Sequence, residues 1–141
     1  MGSRRRSREL AMQALFFMDL AQCVNEDALK MYLKHFPPPE HARAFFQDLV
    51  HGVMKALPEI DALIESASDN WKLSRMSGVD RNAMRVAVYE LLYREDIPPK
   101  VAINEAIDVG KRYGNQESGA FINGILDTIH LKLKKEQAYE A

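Results

Sequence analysis

The sequence has few of the features that mark secreted, membrane-spanning or strongly charged proteins. It contains one cysteine, Cys23, which excludes an internal disulfide and favours a reducing compartment. Gln13 and Asp19 interrupt the apolar segment that a secretory signal would need, and no run of about 18 apolar residues could span a membrane. The 19 basic and 20 acidic residues give a net charge of −1, so nothing attracts the whole chain to nucleic acid. We therefore expect a cytoplasmic protein without membrane contact, whose function depends on where its charges lie.

Sequence motifs of enzymes and metal sites are also missing. The chain has no GxxxxGK[ST], GxGxxG, GxSxG or HExxH motif. Its four histidines have no cysteine or second histidine at ligand spacing. A phosphate loop around Gly110 and Lys111 is disfavoured, because the lysine lies inside a predicted helix and no strand precedes it. We predict no catalytic site, no resident metal and no cofactor.

Helical periodicity covers nearly the whole chain. No segment alternates convincingly between apolar and polar residues, and no Asn-Gly or Asp-Gly hairpin turn occurs. A length of 141 residues suits one domain with one core. The sequence therefore predicts an all-α fold, a compact bundle of about seven helices in a single domain spanning residues 1–141, with residues 1–8 as a basic flexible arm.

Proline, serine and glycine mark the predicted helix ends. The prolines at 98–99 end one helix and begin another, because a proline in the first turn lacks only an N–H that would have no partner. Ser77 with Asp80 three residues later resembles a capping box. Gly114 is expected to close a helix in the left-handed conformation, and Ser118 to cap the last helix.

Four arginines precede the first acidic residue: Arg4, Arg5, Arg6 and Arg8. Positive charge at a helix N-terminus opposes the helix dipole, so the arginines are not explained by helix stability. Guanidinium groups neutralise phosphates and stack on unpaired bases, which indicates a nucleic-acid partner. Taken alone, however, the cluster is explained equally well as a solvated terminus.

The two predicted helices in residues 98–127 are joined by a short polar turn with an aromatic residue at each side. The turn places Lys111, Arg112, Tyr113 and Phe121 near one another. Aromatic side chains beside a basic groove are typical of single-stranded RNA binding, where a stacked base contributes about 1–3 kcal/mol. The same two aromatics also fit the apolar stripes of their helices, so a core role stays open.

Three motifs resemble, in the same order, those of the NusB transcription antitermination proteins of bacteria. They are RRRSRELAMQALF, VDRNAMRVAVYELL, and KVAINEAIDVGKRYG followed by FINGILD. The resemblance covers almost the whole chain and implies two small helical subdomains packed side by side. It implies a non-catalytic protein that binds boxA in nascent RNA together with NusE, a small-subunit ribosomal protein. Within the antitermination complex, RNA polymerase would then read through terminators, notably in ribosomal RNA operons.

The resemblance also implies two surfaces. The residues that would form the RNA surface are Arg4, Arg5, Arg6, Arg8, Lys111, Arg112, Tyr113, Glu117, Ser118 and Phe121. Phe16 and Asp80 would lie towards NusE, and Asp80 is also explained as part of a helix cap.

Four further residues have less definite roles. We expect Asn104, Glu105 and Asn123 to satisfy buried backbone groups or to pair between the last two helices, because buried polar groups need partners. Trp71 is expected to be a core aromatic, although the resemblance places it near the edge of the RNA surface.

Two alternatives to RNA-dependent antitermination stay open on sequence alone. A helical protein–protein adaptor would have no RNA affinity, whereas four arginines on single-stranded phosphates predict a log–log salt slope of about −3. The chain could also be a relative of the NusB-like domain of ribosomal RNA cytosine methyltransferases, but it lacks a methyl-donor loop, and Cys23 is not in a catalytic motif. Monomer and homodimer stay open too, because a dimer could bury the face that receives a partner.

Overall fold

Residues 2–69 and 71–140 are described by the structure, a computed structural model, and they form seven α-helices, one short 3₁₀ turn at Leu73–Arg75 and no strand. The predicted all-α fold is confirmed. The helices are α1 (Gly2–Leu20), α2 (Glu26–His35), α3 (Glu40–Lys55), α4 (Leu57–Ala67), α5 (Gly78–Tyr93), α6 (Pro99–Tyr113) and α7 (Ser118–Glu140). None of these helices is both long enough and apolar enough to cross a membrane.

The helices pack as two groups. In the first group α2 and α3 pack against α1, and in the second α4, α6 and α7 pack around α5. Contacts of α1 with α5 and α6 join the groups, and fully buried apolar side chains from both belong to one core, including Leu15, Met84 and Ile122. This arrangement places the N-terminal half of α1 beside α6.

The predicted starts of α5 at Ser77 and of α6 at the prolines 98–99 are confirmed, and two further helix starts use the same devices. The Ser77 hydroxyl accepts a hydrogen bond from the backbone N–H of Asp80 at 3.1 Å, as an N-cap does. Asn25 caps α2 in the same way, with its side-chain oxygen accepting from Ala28 N at 2.8 Å. Prolines occupy the first turns of α4 and α6, where no backbone donor is lost.

The predicted left-handed glycine at the end of α6 is wrong. Gly114 has φ −99° and ψ −146°, outside the left-handed region. The position still requires glycine, because a Cβ there would overlap the Ser118 hydroxyl. The glycine therefore allows α7 to start close to the end of α6.

Residues 2–8 are the first two turns of α1 rather than an arm outside it, which corrects the predicted flexible segment. The Ser7 hydroxyl lies 2.8 Å from the carbonyl oxygens of both Ser3 and Ala42, and its one proton can be donated to either. Ser7 and Arg8 are buried, so this part of the helix is held by tertiary contacts with α3, α5 and α6. The unfavourable charge at the helix N-terminus is thus compensated by contacts that local sequence does not reveal.

Candidate nucleic-acid interface

Arg8 is an internal anchor. Its Nε and Nη2 donate to the two oxygens of Glu90 at 2.9 and 2.8 Å, and its Nη1 donates to Glu105 at 3.2 Å. The Arg8 side chain is only 6% exposed, and Glu90 is 1% exposed. Arg8 therefore fixes α1 to α5 and α6 and does not present a free guanidinium to a ligand.

Arg5 lies on the surface one turn earlier. Its side chain is 52% exposed and bonds two carboxylates of α6, Glu105 and Asp108. The hydrogen bond from Arg5 is the main reason why the pKa of Glu105 lies below its ordinary value, and it raises the pKa of Arg5. Arg5 is therefore oriented by α6 while its outer side faces solvent.

A buried carboxylate joins α1 to the C-terminal end of α6. Glu9 accepts from Arg6 Nη1 at 3.2 Å and from Arg112 Nη1 at 3.0 Å. The Arg112 guanidinium lies 5.5 Å from the centre of the Tyr113 ring, within the range of a cation–π contact. Basic residues from α1 and from the C-terminal end of α6 therefore lie side by side and form one continuous surface.

Arg4 extends this surface to α3 and to the segment that follows α5. It lies 3.7 Å from Asp96, and its guanidinium carbon is 5.0 Å from the Phe45 ring centre. Arg94 approaches the same ring at 5.2 Å and is bound to Asp96 and Asp48, and these carboxylates raise its pKa. Sequence reasoning missed Phe45 and Arg94, because their contacts with Arg4 join segments far apart in the chain.

Ser118 is buried within the turn between α6 and α7. Its hydroxyl accepts from Asn115 N at 3.0 Å, and the side-chain oxygen of Asn115 accepts from Glu117 N at 2.8 Å. The predicted N-cap role of Ser118 is wrong: Ser118 is the first residue of α7, and its hydroxyl binds the preceding turn instead of the first turn of the helix. Glu117 is exposed beside it.

An aromatic pair lies at the start of α7. Phe121 is partly buried, and its ring centre lies 6.2 Å from that of Trp71 in an edge-to-face arrangement. Trp71 is 54% exposed, so the predicted core position is wrong. Its polar neighbours Asp69 and Lys72 are a sequence signal for exposure. The pair offers an aromatic surface beside the candidate RNA residues.

Asn104 and Asn123 are exposed and line a groove of about 540 Å³ between α6 and α7, so their predicted buried roles are wrong. Glu105 is partly buried, but it pairs with α1 instead of α7. The sequence did contain a signal for Asn104, because it is two positions from both Ala102 and Ala106 and so lies off the buried face of α6.

The two residues expected to face a protein partner lie near each other at the junction of α1 and α5. The Phe16 ring packs against Gly78, where a Cβ would come 2.5 Å from a ring carbon. Asp80 follows two residues later on α5 and is buried, and among the described residues its Oδ1 has no hydrogen-bond partner. Phe16 is eleven residues from Arg5 along α1, a rise of about 16 Å. The two candidate surfaces are therefore separate.

The described residues include no group of three or more His, Cys, Asp or Glu side chains that could hold a metal ion. The five arginines of the candidate interface each have a nitrogen 3.7 Å or less from a carboxylate oxygen: Arg4, Arg5, Arg6, Arg8 and Arg112.

Proteins similar to this chain are found by sequence and by structure. The model of the NusB family matches residues 5–131. The transcription antitermination protein NusB of Desulfatibacillum aliphaticivorans is 56% identical over 140 residues, which cover 99% of this chain and 98% of that protein. The solved structure of T. maritima NusB superposes with a TM-score of 0.81 at 37% identity, covering 98% and 97% of the two chains. A chain in a solved complex of antitermination factors NusB and NusE with double-stranded RNA superposes with a TM-score of 0.79 at 26% identity, covering 94% of this chain and 98% of that one.

Proposed function

The chain belongs to the NusB family, and on this basis we propose that it is a transcription antitermination factor that binds boxA RNA together with ribosomal protein NusE. In the proposed role it promotes read-through by RNA polymerase, notably in ribosomal RNA operons, and it acts in the cytoplasm by binding alone, without catalysis. Support comes from the solved NusB–NusE–RNA complex to which this chain is similar.

The observation that carries the proposal is the continuity of the basic and aromatic surface. Glu9 holds Arg6 of α1 and Arg112 of α6 on one carboxylate, and Arg112 lies over Tyr113. Proteins that bind single-stranded RNA place phosphate-neutralising cations beside aromatic rings, and this surface has both.

We assign the direct contacts according to exposure. Arg4, Arg5 and Arg6 of α1, with Lys111 and Arg112 of α6, would neutralise phosphates. These five side chains are all exposed or only partly buried, in contrast to Arg8.

The aromatic residues would stack on unpaired bases. Tyr113, Phe121 and the exposed Trp71 are the candidates, and Glu117 would lie at the rim. Arg8 and Ser118 would act indirectly, because both are buried and hold the surface in shape.

NusE would bind at Phe16 and Asp80, away from the arginines. One protein holding RNA and NusE together converts two modest affinities into one stable assembly through effective concentration. The RNA polymerase antitermination complex would then receive both ligands from a single module.

The test is fluorescence anisotropy of a boxA single-stranded RNA and of its scrambled sequence, with and without NusE, at two salt concentrations. We expect tighter binding of boxA, strengthened by NusE. The double variant Arg5→Ala, Arg6→Ala should lose affinity and reduce the magnitude of the log–log salt slope by about 1.4, since each lost contact with single-stranded RNA removes about 0.7.

A matched control removes the same charge elsewhere. Lys132→Ala with Lys134→Ala changes two exposed cations in α7, and Lys132 is fourteen residues, or about 21 Å, from Ser118. This variant should retain the wild-type slope. Negligible binding of both RNAs, even with NusE present, would overturn the proposal and favour a helical protein–protein adaptor.

A further inference from the structure

Two carboxylates bind the Arg5 guanidinium in different ways. Glu105 accepts from Nε at 3.4 Å and from Nη2 at 2.5 Å, so it takes the side edge of the group. Asp108 accepts only from Nη2, at 2.8 Å. Glu105 is 16% exposed and is shared with Arg8, whereas Asp108 is 49% exposed. One carboxylate is therefore built into the interior, and the other lies at the surface.

The geometry of a guanidinium group defines what Asp108 occupies. Nη2 carries two hydrogens. One lies on the same edge as Nε–H, and Glu105 binds both of these. The other Nη2 hydrogen, which Asp108 binds, lies on the outer edge beside Nη1. Within residues 2–69 and 71–140, Nη1 of Arg5 has no hydrogen-bond partner. The outer edge, Nη1 with Nη2, is the fork that binds a phosphate through two parallel hydrogen bonds.

We propose that Asp108 occupies, in the free protein, the subsite that an RNA phosphate takes in the complex, and that Glu105 is the residue that positions Arg5 for that phosphate. This inference rests on the proposed RNA-binding function. It assigns opposite roles to two acidic residues on the same arginine: Asp108 competes with the ligand, and Glu105 prepares its site.

Lys111 gives the subsite a second cation. It follows Asp108 by three positions on α6, so the two side chains are neighbours on the helix surface, and both line the groove between α6 and α7. A phosphate that replaces the Asp108 carboxylate would bind the fork of Arg5 and approach Lys111. The exchange is feasible because an exposed ion pair such as Arg5–Asp108 contributes little stability.

Two substitutions that remove the same charge separate these roles. Asp108→Asn and Glu105→Gln each delete one negative charge near Arg5, so a purely long-range electrostatic effect would tighten RNA binding in both. We expect Asp108→Asn to tighten boxA binding about two- to fivefold, the equivalent of one exposed ion pair. Glu105→Gln should weaken it and reduce the magnitude of the salt slope by about 0.7, because one phosphate contact is lost.

A third variant controls for net charge. Asp27→Asn removes an exposed carboxylate from α2, which packs against the C-terminal half of α1 through Phe17 and Tyr32. It should leave RNA affinity unchanged. Tightening by Asp27→Asn equal to that by Asp108→Asn would show a general charge effect and overturn the inference.

A double-mutant cycle tests the mechanism without depending on Glu105. Asp108→Asn should tighten binding in the wild-type background and have a clearly smaller effect in an Arg5→Ala background, where only Lys111 remains beside it. An equal gain in both backgrounds, or no gain in either, would overturn the inference even if Glu105→Gln failed to fold. If wild-type protein binds boxA better than scrambled RNA and the cycle fails, only this inference is lost; if wild-type protein binds no RNA, the proposed function itself is wrong.

Discussion

Gly52 of α3 is required for a close approach between helices. The Tyr89 ring of α5 lies directly over it, and a Cβ at position 52 would overlap the ring. We expect Gly52→Ala to lower the free energy of unfolding by about 1–3 kcal/mol, because the buried ring must move. Urea denaturation measures this change.

Gly124 offers the matched control for that substitution. It lies in α7, and among the described residues no atom beyond the adjoining helix backbone lies within 4 Å of the position that a Cβ would take. Gly124→Ala should stabilise the protein by up to about 1 kcal/mol, since alanine is the better helix former. Equal effects of the two substitutions would contradict the packing argument at Gly52.

Tyr89 also predicts how stability depends on alkaline pH. Burial, together with the hydrogen bond that its hydroxyl donates to Asp48 at 2.8 Å, raises the pKa of Tyr89 to about 12. Since the folded-state pKa exceeds the unfolded value near 10, the contribution of the neutral phenol is complete below about pH 10 and is lost as the pH rises to about 12.

The variant Tyr89→Phe isolates this contribution. We expect the free energy of unfolding to fall more steeply between about pH 8 and about pH 11 in the wild type than in Tyr89→Phe, because phenylalanine has no proton to lose. Urea titrations of both proteins at the two pH values measure the difference. Parallel pH dependence would show that the Tyr89 hydroxyl does not titrate differently in the folded state.

Individual side-chain roles were predictable from sequence only where they depend on neighbours in the chain. The Ser77 cap was predicted correctly because its partner is three residues away. The burial of Arg8 was not predicted, because its partner Glu90 is 82 residues away and no local pattern connects them. Asn104 was misassigned even though its position off the apolar face of α6 predicts exposure.

Among the helices, α1 is fixed most strongly by charge. Its Arg8 forms a buried ion pair with Glu90, so replacing the arginine leaves a buried carboxylate without its cation. We expect Arg8→Met to lower the free energy of unfolding by about 3–5 kcal/mol. Arg6→Met, which removes a half-exposed partner of Glu9, should cost less than about 1 kcal/mol.

The double variant Arg8→Met, Glu90→Gln checks this explanation by urea denaturation. Removing the charge of Glu90 should recover part of the stability that Arg8→Met loses, since the uncompensated charge is then absent. If the double variant is as unstable as the sum of the two single variants, the loss does not arise from an unpaired charge.

Helix positions were predicted well, and helix ends less well. The predicted number of about seven helices is confirmed for the residues that the structure describes, because apolar periodicity and proline are local signals. Gly114 was assigned a left-handed turn that it does not adopt, since glycine also serves where two chain segments approach closely. The start of α1 at Gly2 was missed because tertiary contacts outweigh its unfavourable N-terminal charge.

Because the two candidate surfaces are separate, we expect a substitution in the proposed NusE surface to change RNA binding only when NusE is present. Phe16 lies about 16 Å along α1 from Arg5, so it should not contact RNA. We expect Phe16→Ala to change boxA affinity less than twofold without NusE and to abolish the strengthening by NusE. Anisotropy with and without NusE measures both effects, and circular dichroism verifies folding. Equal weakening in the two conditions would contradict separate surfaces.

The ion pairs of α1 also have a consequence for synthesis on the ribosome. Arg8 is made 82 residues before Glu90, and Arg5 is made 100 residues before Glu105. At about 5–20 residues per second, the arginines emerge about 4–20 s before the carboxylates that neutralise them. For that interval Arg5 and Arg8 lie beside ribosomal RNA without the carboxylates that pair with them in the folded protein, and their charge is masked only when α5 and α6 have been translated and have folded.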